Sequence, residues 1–175
     1  VENVSETKIE FQAESFSVFV VTYAATAAAA TEDNSFFTLQ DALDKVEDGG
    51  TLYLLRNVSE NVKSEGKSYT LDMRGKTLSS KEEGKVVFAI SGGEVKIQNG
   101  TITGGDYNRS YSSKFDGKGI KATNADLTLE NCVVSKNNGS SMGSVHGGGI
   151  SATGGSLTII GCDIIEKDRK STRLN

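Results

Sequence analysis

The chain has 175 residues, enough for one domain of ordinary size or one plus part of another. Its 20 glycines, with no proline and no tryptophan, are too few for collagen, and 36% hydrophobic content is too high for a wholly disordered chain. The formal charge of −4 divides unevenly, with 11 acids against 3 bases in residues 1–60 and a nearly neutral middle. A basic stripe interleaved with aromatics, the footprint of a nucleic-acid binder, does not occur.

Residues 1–25 open the chain. Lys8–Phe11 and Phe16–Tyr23 have strand character and read as the closing hairpin of a preceding β-domain. The apolar run Ser17–Ala30 is shorter than the ~20 residues a membrane helix needs, and acids rather than bases precede it. It implies neither membrane insertion nor a signal peptide. The chain starts at Val1 without Met and reads as a fragment of something longer. Residues 26–35, rich in Ala and Thr, read as a linker.

Next comes the one helical pattern. Thr38-Leu-Gln-Asp41 resembles a capping box, with Asp where Glu or Gln is usual. Leu39, Ala42, Leu43 and Val46 continue at helical spacing, and Gly49-Gly50 stops the run. This spacing predicts a short amphipathic helix lying over the first unit of a strand repeat.

The repeat occupies most of the remaining chain. Val95, Leu127 and Leu157 form one column, Ile97, Leu129 and Ile159 a second, and Ile102, Val134 and Ile164 a third, at steps of 32 and 30 residues. Leu71, Met73 and Leu78 extend these columns backwards by 24, and Leu52 and Leu54 by 19 more. Phe88, Ile120 and Ile150 make a fourth column, and Ile90, Ala122 and Ala152 a fifth, both confined to the last three units. Apolar and polar residues alternate within each unit, the period of short strands with one face inward. Gly and Asn clusters mark the turns. Short strands at variable spacing suit a parallel β-helix, in which each unit is one coil and the long spacers Gly104–Gly117 and Asn137–Gly147 loop outward. The predicted fold over 36–166 is therefore an all-β solenoid with an N-terminal helical cap. The charged segment 167–175 breaks every column and reads as a non-native or disordered tail.

The phrases GGTLYLL, SYTLDMRGKTL, DLTLENCVVSKN and GGGISATGGSLTIIGC resemble right-handed parallel β-helix repeats of bacterial surface proteins. These form part of the pectin-lyase-like superfamily, with its polymorphic outer-membrane and autotransporter-type adhesins. Gly147–Ile150 is similar to their GGA-I element, and Val134–Asn137 loosely meets the partner element of an apolar residue followed by Asn. SFSVFVVTYA at Ser15–Ala24 resembles the end of a β-repeat in cell-wall proteins of Gram-positive gut bacteria. The resemblance implies an extracellular module at a bacterial cell surface or wall, acting as a rigid stalk or adhesin. Its partners would be glycans or surface proteins. The superfamily also holds polysaccharide lyases and glycoside hydrolases, so a fragment of such an enzyme is the alternative. Their paired aspartates, GHG and RIK motifs are absent.

No catalytic, cofactor or metal residues are assigned. Gly117–Ala122 and Gly147–Ala152 match a dinucleotide fingerprint, but strands come after both, so they read as turn glycines. His146, the lone histidine, has no nucleophile or metal partner nearby in sequence. The candidate ligand-binding segment is the spacer containing Asp106, Tyr107, Asn108, Arg109, Tyr111 and Phe115. Aromatic faces among Asn, Asp and Arg suit sugar rings, although the same rings could fold back against the coil. Cys132 and Cys162 share a column, which predicts a buried reduced stack in preference to a disulfide. Three acids, or acids with a base, converging on one face would favour the enzyme. A face of Thr, Ser, Lys and Gln would favour the module.

Overall fold

A computed structural model describes residues 2–5, 8–10, 27–82, 85–105, 118–137, 149–165 and 172–174. Among them the protein is mostly β, with one short helix. Glu2–Ser5 (β1) and Lys8–Glu10 (β2) pair antiparallel, so the partner of the Lys8 strand precedes it. The second half of the expected hairpin, 16–23, lies outside the described residues.

Two sheets carry the repeat. One stacks Val62–Glu65 (β7), Phe88–Ser91 (β10), Ile120–Thr123 (β12) and Ile150–Thr153 (β14), all parallel. The larger sheet stacks Gly50–Leu54 (β5), Tyr69–Asp72 (β8), Glu94–Thr103 (β11) and Asp126–Ser135 (β13). Leu157–Ile160 (β15) and Cys162–Ile165 (β16) then share the far edge of β13. Val58–Ser59 (β6) and Thr77–Ser79 (β9) join the same sheet beneath the second half of β11. The pairs Val95–Leu127–Leu157, Ile97–Leu129–Ile159, Ile102–Val134–Ile164 and Phe88–Ile120–Ile150 are those expected from the spacing. Leu71, Ile97, Ile102, Leu129 and Val134 are fully buried, and the polar residues between them face outward.

The register departs from expectation in one unit. Val95 pairs with Tyr69 and Ile97 with Leu71, whereas the spacing placed Leu71 and Met73 there. Leu78 still pairs with Ile102. The link Met73–Lys76 is longer by two residues than its counterpart in β11, which absorbs the slip. A shift of two leaves the same face inward, so alternation cannot detect it. Tyr69 is thereby buried beside Ser64, and desolvation raises its phenol well above the usual range. The fourth and fifth columns also reach one unit earlier than expected, through Val62 and Ser64.

The turns are columns too. Gly66, Gly92, Asn124 and Gly154 all have positive φ, between 51° and 71°. The ladder continues through this corner: Asn124 N–H donates to Thr153 O at 2.8 Å and Gly92 N–H to Thr123 O at 2.9 Å. Asn99, Asn131 and Gly161 form a second left-handed column, at 58°, 52° and 58°. Asn is the side-chain-bearing residue that best tolerates this conformation, which explains its alternation with Gly.

At the N-terminal end the larger sheet is mixed, where the repeat implied parallel pairing alone. Ala29–Ala30 (β3) lies antiparallel on β5, with Ser35–Phe36 (β4) antiparallel beyond it. The alanines expected to be linker are therefore structural: Ala27, Ala28 and Ala29 are buried. Their small side chains let helix α1 (Leu39–Lys45) approach β3 closely. Thr172–Leu174 (β17), within the segment expected to lie outside the fold, pairs antiparallel with β16 at the opposite edge.

Helix α1 is the expected cap. Leu39, Ala42, Leu43 and Val46 are buried, and Thr38 Oγ1 accepts from Asp41 N–H at 3.0 Å. Three further side chains complete it. The Glu60 carboxylate accepts from the N–H groups of Leu39 and Gln40, both at 3.1 Å. Lys67 Nζ donates to the carbonyls of Leu43, Asp44 and Val46 at 3.1, 2.6 and 3.2 Å. An anion thus sits at the positive end of the helix and a cation at the negative end. Gln40 adds the amide geometry of a missing strand: its Nε2 donates to Lys63 O and its Oε1 accepts from Lys63 N–H, both at 2.9 Å. The edge of β7 is closed by one side chain. We expect Lys67→Met to lower unfolding stability by about 1–3 kcal/mol, more than Thr38→Ala at about 1 kcal/mol, in urea titrations monitored by circular dichroism.

Candidate functional surface

Asp106, Tyr107, Asn108, Arg109, Tyr111 and Phe115 lie outside the described residues, as does His146. What the structure defines is the base from which their segments depart. The 106–117 segment leaves after Gly105 and returns at Lys118; the 138–148 segment leaves after Asn137 and returns at Gly149. Gly105 N–H donates to Asn137 Oδ1 at 3.0 Å, and Ile120 N–H donates to Gly149 O at 2.9 Å. The two departures are therefore neighbours, and so are the two returns. Val87 N–H bonds to Lys118 O at 2.9 Å, which places the earlier 82–85 connection beside them. Three successive units carry their insertions at one corner.

Asn137 holds that corner. It is 1% exposed, and its Nδ2 also donates to Ile102 O at 3.1 Å. Gly119 fits under it because a Cβ there would meet Asn137 Nδ2 and the Gly149 carbonyl. Asn61 does the same work three strands earlier in the stack, before β7, bonding the Lys81 and Glu82 N–H groups and Val86 O. The apolar-x-x-Asn pattern at Val134–Asn137 was the signal for this residue, and the same pattern at Val58–Asn61, in register with it, went unread. Lys118 is also buried, and its ammonium pKa is lowered by desolvation, with the charges of Lys85 and Lys121 adding to the effect.

The outward face of the larger sheet is a second exposed surface. Thr51, Thr70, Lys96, Thr128 and Thr158 form one outward column, and Tyr53, Asp72, Gln98 and Glu130 another. The Arg74 guanidinium lies 3.9 Å over the Tyr53 ring. Asp72 accepts from Arg74 N–H at 2.9 Å and from the Asn99 and Gln98 side-chain amides, each at 3.2 Å. Partial burial pushes the Asp72 carboxyl up, but these donors and the Arg74 charge outweigh it, and its pKa falls below the ordinary value. Lys96 pairs with Glu130 at 2.6 Å. Each acid is thus satisfied by its own neighbours instead of converging with the other, and Asp72 is a poor proton donor. The face combines a column rich in Thr with a mixed column of Tyr53, Asp72, Gln98 and Glu130, each acid beside a base.

A cavity of ≈ 550 Å³ opens at the capped end, between the β3–β4 turn and the end of α1. Its Glu32, Asp33 and Glu47 side chains are exposed, and Lys45 lies 5.8 Å from the Phe36 ring centre. Among the described residues no three of His, Cys, Asp and Glu gather as a metal site, and no helix is long and apolar enough to cross a membrane.

No family model, curated protein or solved structure matches the chain.

This geometry carries two expected outcomes. Asn137→Ala should cost about 2–4 kcal/mol, because it strands the Gly105 N–H and the Ile102 carbonyl in the interior, and urea unfolding will measure it. Asp72 has a depressed pKa in the folded state, so its contribution is present above the unfolded value of about 3.9 and is lost as pH falls through the folded value. The stability gap between the parent and Asp72→Ala should therefore be widest near neutrality and shrink once pH falls below the ordinary aspartate value, as read from unfolding curves at each pH.

Proposed function

We propose that residues 36–166 form a right-handed parallel β-helix acting as a non-enzymatic extracellular module, a rigid stalk or adhesin of a bacterial cell surface. The observation that carries this reading is the register. Val95, Leu127 and Leu157 stack in one sheet while Phe88, Ile120 and Ile150 stack in the other, at the same sequence steps. Left-handed residues recurring between the two sheets support a winding chain, since each unit turns at equivalent places. A ladder of this kind is stiff along its axis, because every backbone bond in it opposes bending.

Contact with a partner falls to the insertions at the shared corner, and glycans are the partner class suited to the residues of 106–115. Tyr107, Tyr111 and Phe115 would supply stacking faces, and Asp106, Asn108 and Arg109 hydrogen bonds to hydroxyls. The satisfied state of Asp72 and Glu130 favours a binding role over polysaccharide cleavage. A glycan array probed with the purified chain tests this. Binding to a restricted glycan set, lost at least tenfold in the Tyr107→Ala/Tyr111→Ala double variant, is the expected result. Binding that survives the double variant overturns the loop assignment, and release of new reducing or unsaturated ends from a bound polysaccharide overturns the non-enzymatic reading.

A further inference from the structure

The larger sheet ends in an antiparallel strand on each side of its parallel stack. At the capped end β3 lies antiparallel on β5 and is backed by helix α1. At the far end β17 lies antiparallel on β16, with Leu174 opposite Cys162, Arg173 opposite Asp163 and Thr172 opposite Ile164. Among the described residues the smaller sheet has no strand beyond β14.

The last coil shows what this pairing does. Ala152, Leu157 and Cys162 continue inward columns, and their equivalents one coil earlier, Ala122, Leu127 and Cys132, are each 1% exposed. No strand lies beyond β14 or β15, and there Ala152 is exposed and Leu157 is 40% exposed. Cys162, with β17 opposite it, is 1% exposed and is the one buried residue of 150–165. Inward orientation alone therefore leaves a last-coil residue open, and a strand across it closes it.

The attachment of β17 is slight. It has three residues and pairs with β16 and with no other strand among the described residues. A two-stranded pairing of that length is marginal in water, and edge elements of this kind open well below the free energy of global unfolding. Cys132 is placed differently. It lies one rung deeper, with β16 paired across β13, and its N–H donates to Cys162 Sγ at 3.3 Å.

We propose that β17 is a detachable clasp, an end strand that opens while the coils stay folded and so governs access to the Cys162 thiol and to the edge of β16. Closed, it withholds the backbone groups of β16 from any incoming strand. Open, it presents Cys162 as the accessible thiol of the last coil, while Cys132 stays covered.

Labelling of the native chain with N-ethylmaleimide at neutral pH, read by mass spectrometry of proteolytic fragments, follows the two cysteines separately in one molecule. In the parent, Cys162 is expected to label about tenfold faster than Cys132 or more, because Cys132 waits for a larger opening. The full-length Thr172→Pro/Arg173→Pro variant removes two successive strand N–H groups. It should raise the Cys162 rate about tenfold or more and leave Cys132 within about threefold of the parent. A chain ending at Ser171 should behave as this variant does. An unchanged Cys162 rate in either form overturns the clasp, since the coil itself would then bury the thiol. Equal acceleration of both cysteines also overturns it, since β17 would then be integral to the fold. So does labelling of Cys162 in the parent at the rate of the denatured chain, since there would be no closed state.

Discussion

The parallel hydrogen-bond ladder between rungs governs this molecule, because it forces residues two dozen or more positions apart to occupy equivalent places. Once Ile97 pairs with Leu129, the inward side chains above and below must share one cross-section, and a turn residue that needs a left-handed backbone must recur where the chain bends. Some polar residues in the interior bond to neighbouring backbone, while the buried hydroxyls of Ser64 and Tyr69 have no hydrogen-bond partner. Asn137 bonds to Gly105 and Ile102, Cys132 to the carbonyls of Ile97 and Glu130, and Cys162 to that of Ile160. The length of an insertion is free, since the ladder constrains only where the chain leaves and where it returns.

A ladder has ends, and the N-terminal one is closed by unlike devices on the two sheets. On the larger sheet a short antiparallel strand of alanines covers β5. On the smaller sheet a side chain imitates a strand at Lys63. The helix that supplies this side chain depends in turn on the strands, through Glu60 and Lys67. Cap and first unit therefore stabilise each other, and loss of either charge weakens both.

The apolar columns, the cap helix and its buried stripe were legible in the sequence because period two and period 3.6 leave distinct traces. The register of Leu71 was not, since a two-residue slip conserves the pattern. Nor was the structural use of Ala27–Ala29: alanine carries no periodic signal, and its burial reflects the close approach of α1. The roles of Glu60 and Lys67 depend on neighbours 20 or more residues away, so no local motif announces them, whereas Asn61 ends the same apolar-x-x-Asn pattern as Asn137. Nothing in the sequence singled out Gly100, yet Met73 occupies the space of its side chain. The candidate loop was recognisable only as aromatic residues in a polar spacer; its anchoring beside the 138–148 segment emerged from the pairing of Gly105 with Asn137.

The amide of Gln40 gives the pile a polarity. A strand arriving at β7 finds its Lys63 donor and acceptor already engaged, whereas β14 and β15 offer theirs outward beside exposed Leu157 and Ile160. Accretion of an extended peptide is therefore directional: among the described residues the β7 edge is blocked by a side chain, whereas the β14 and β15 edges pair with no further strand and β16 alone is covered, by β17.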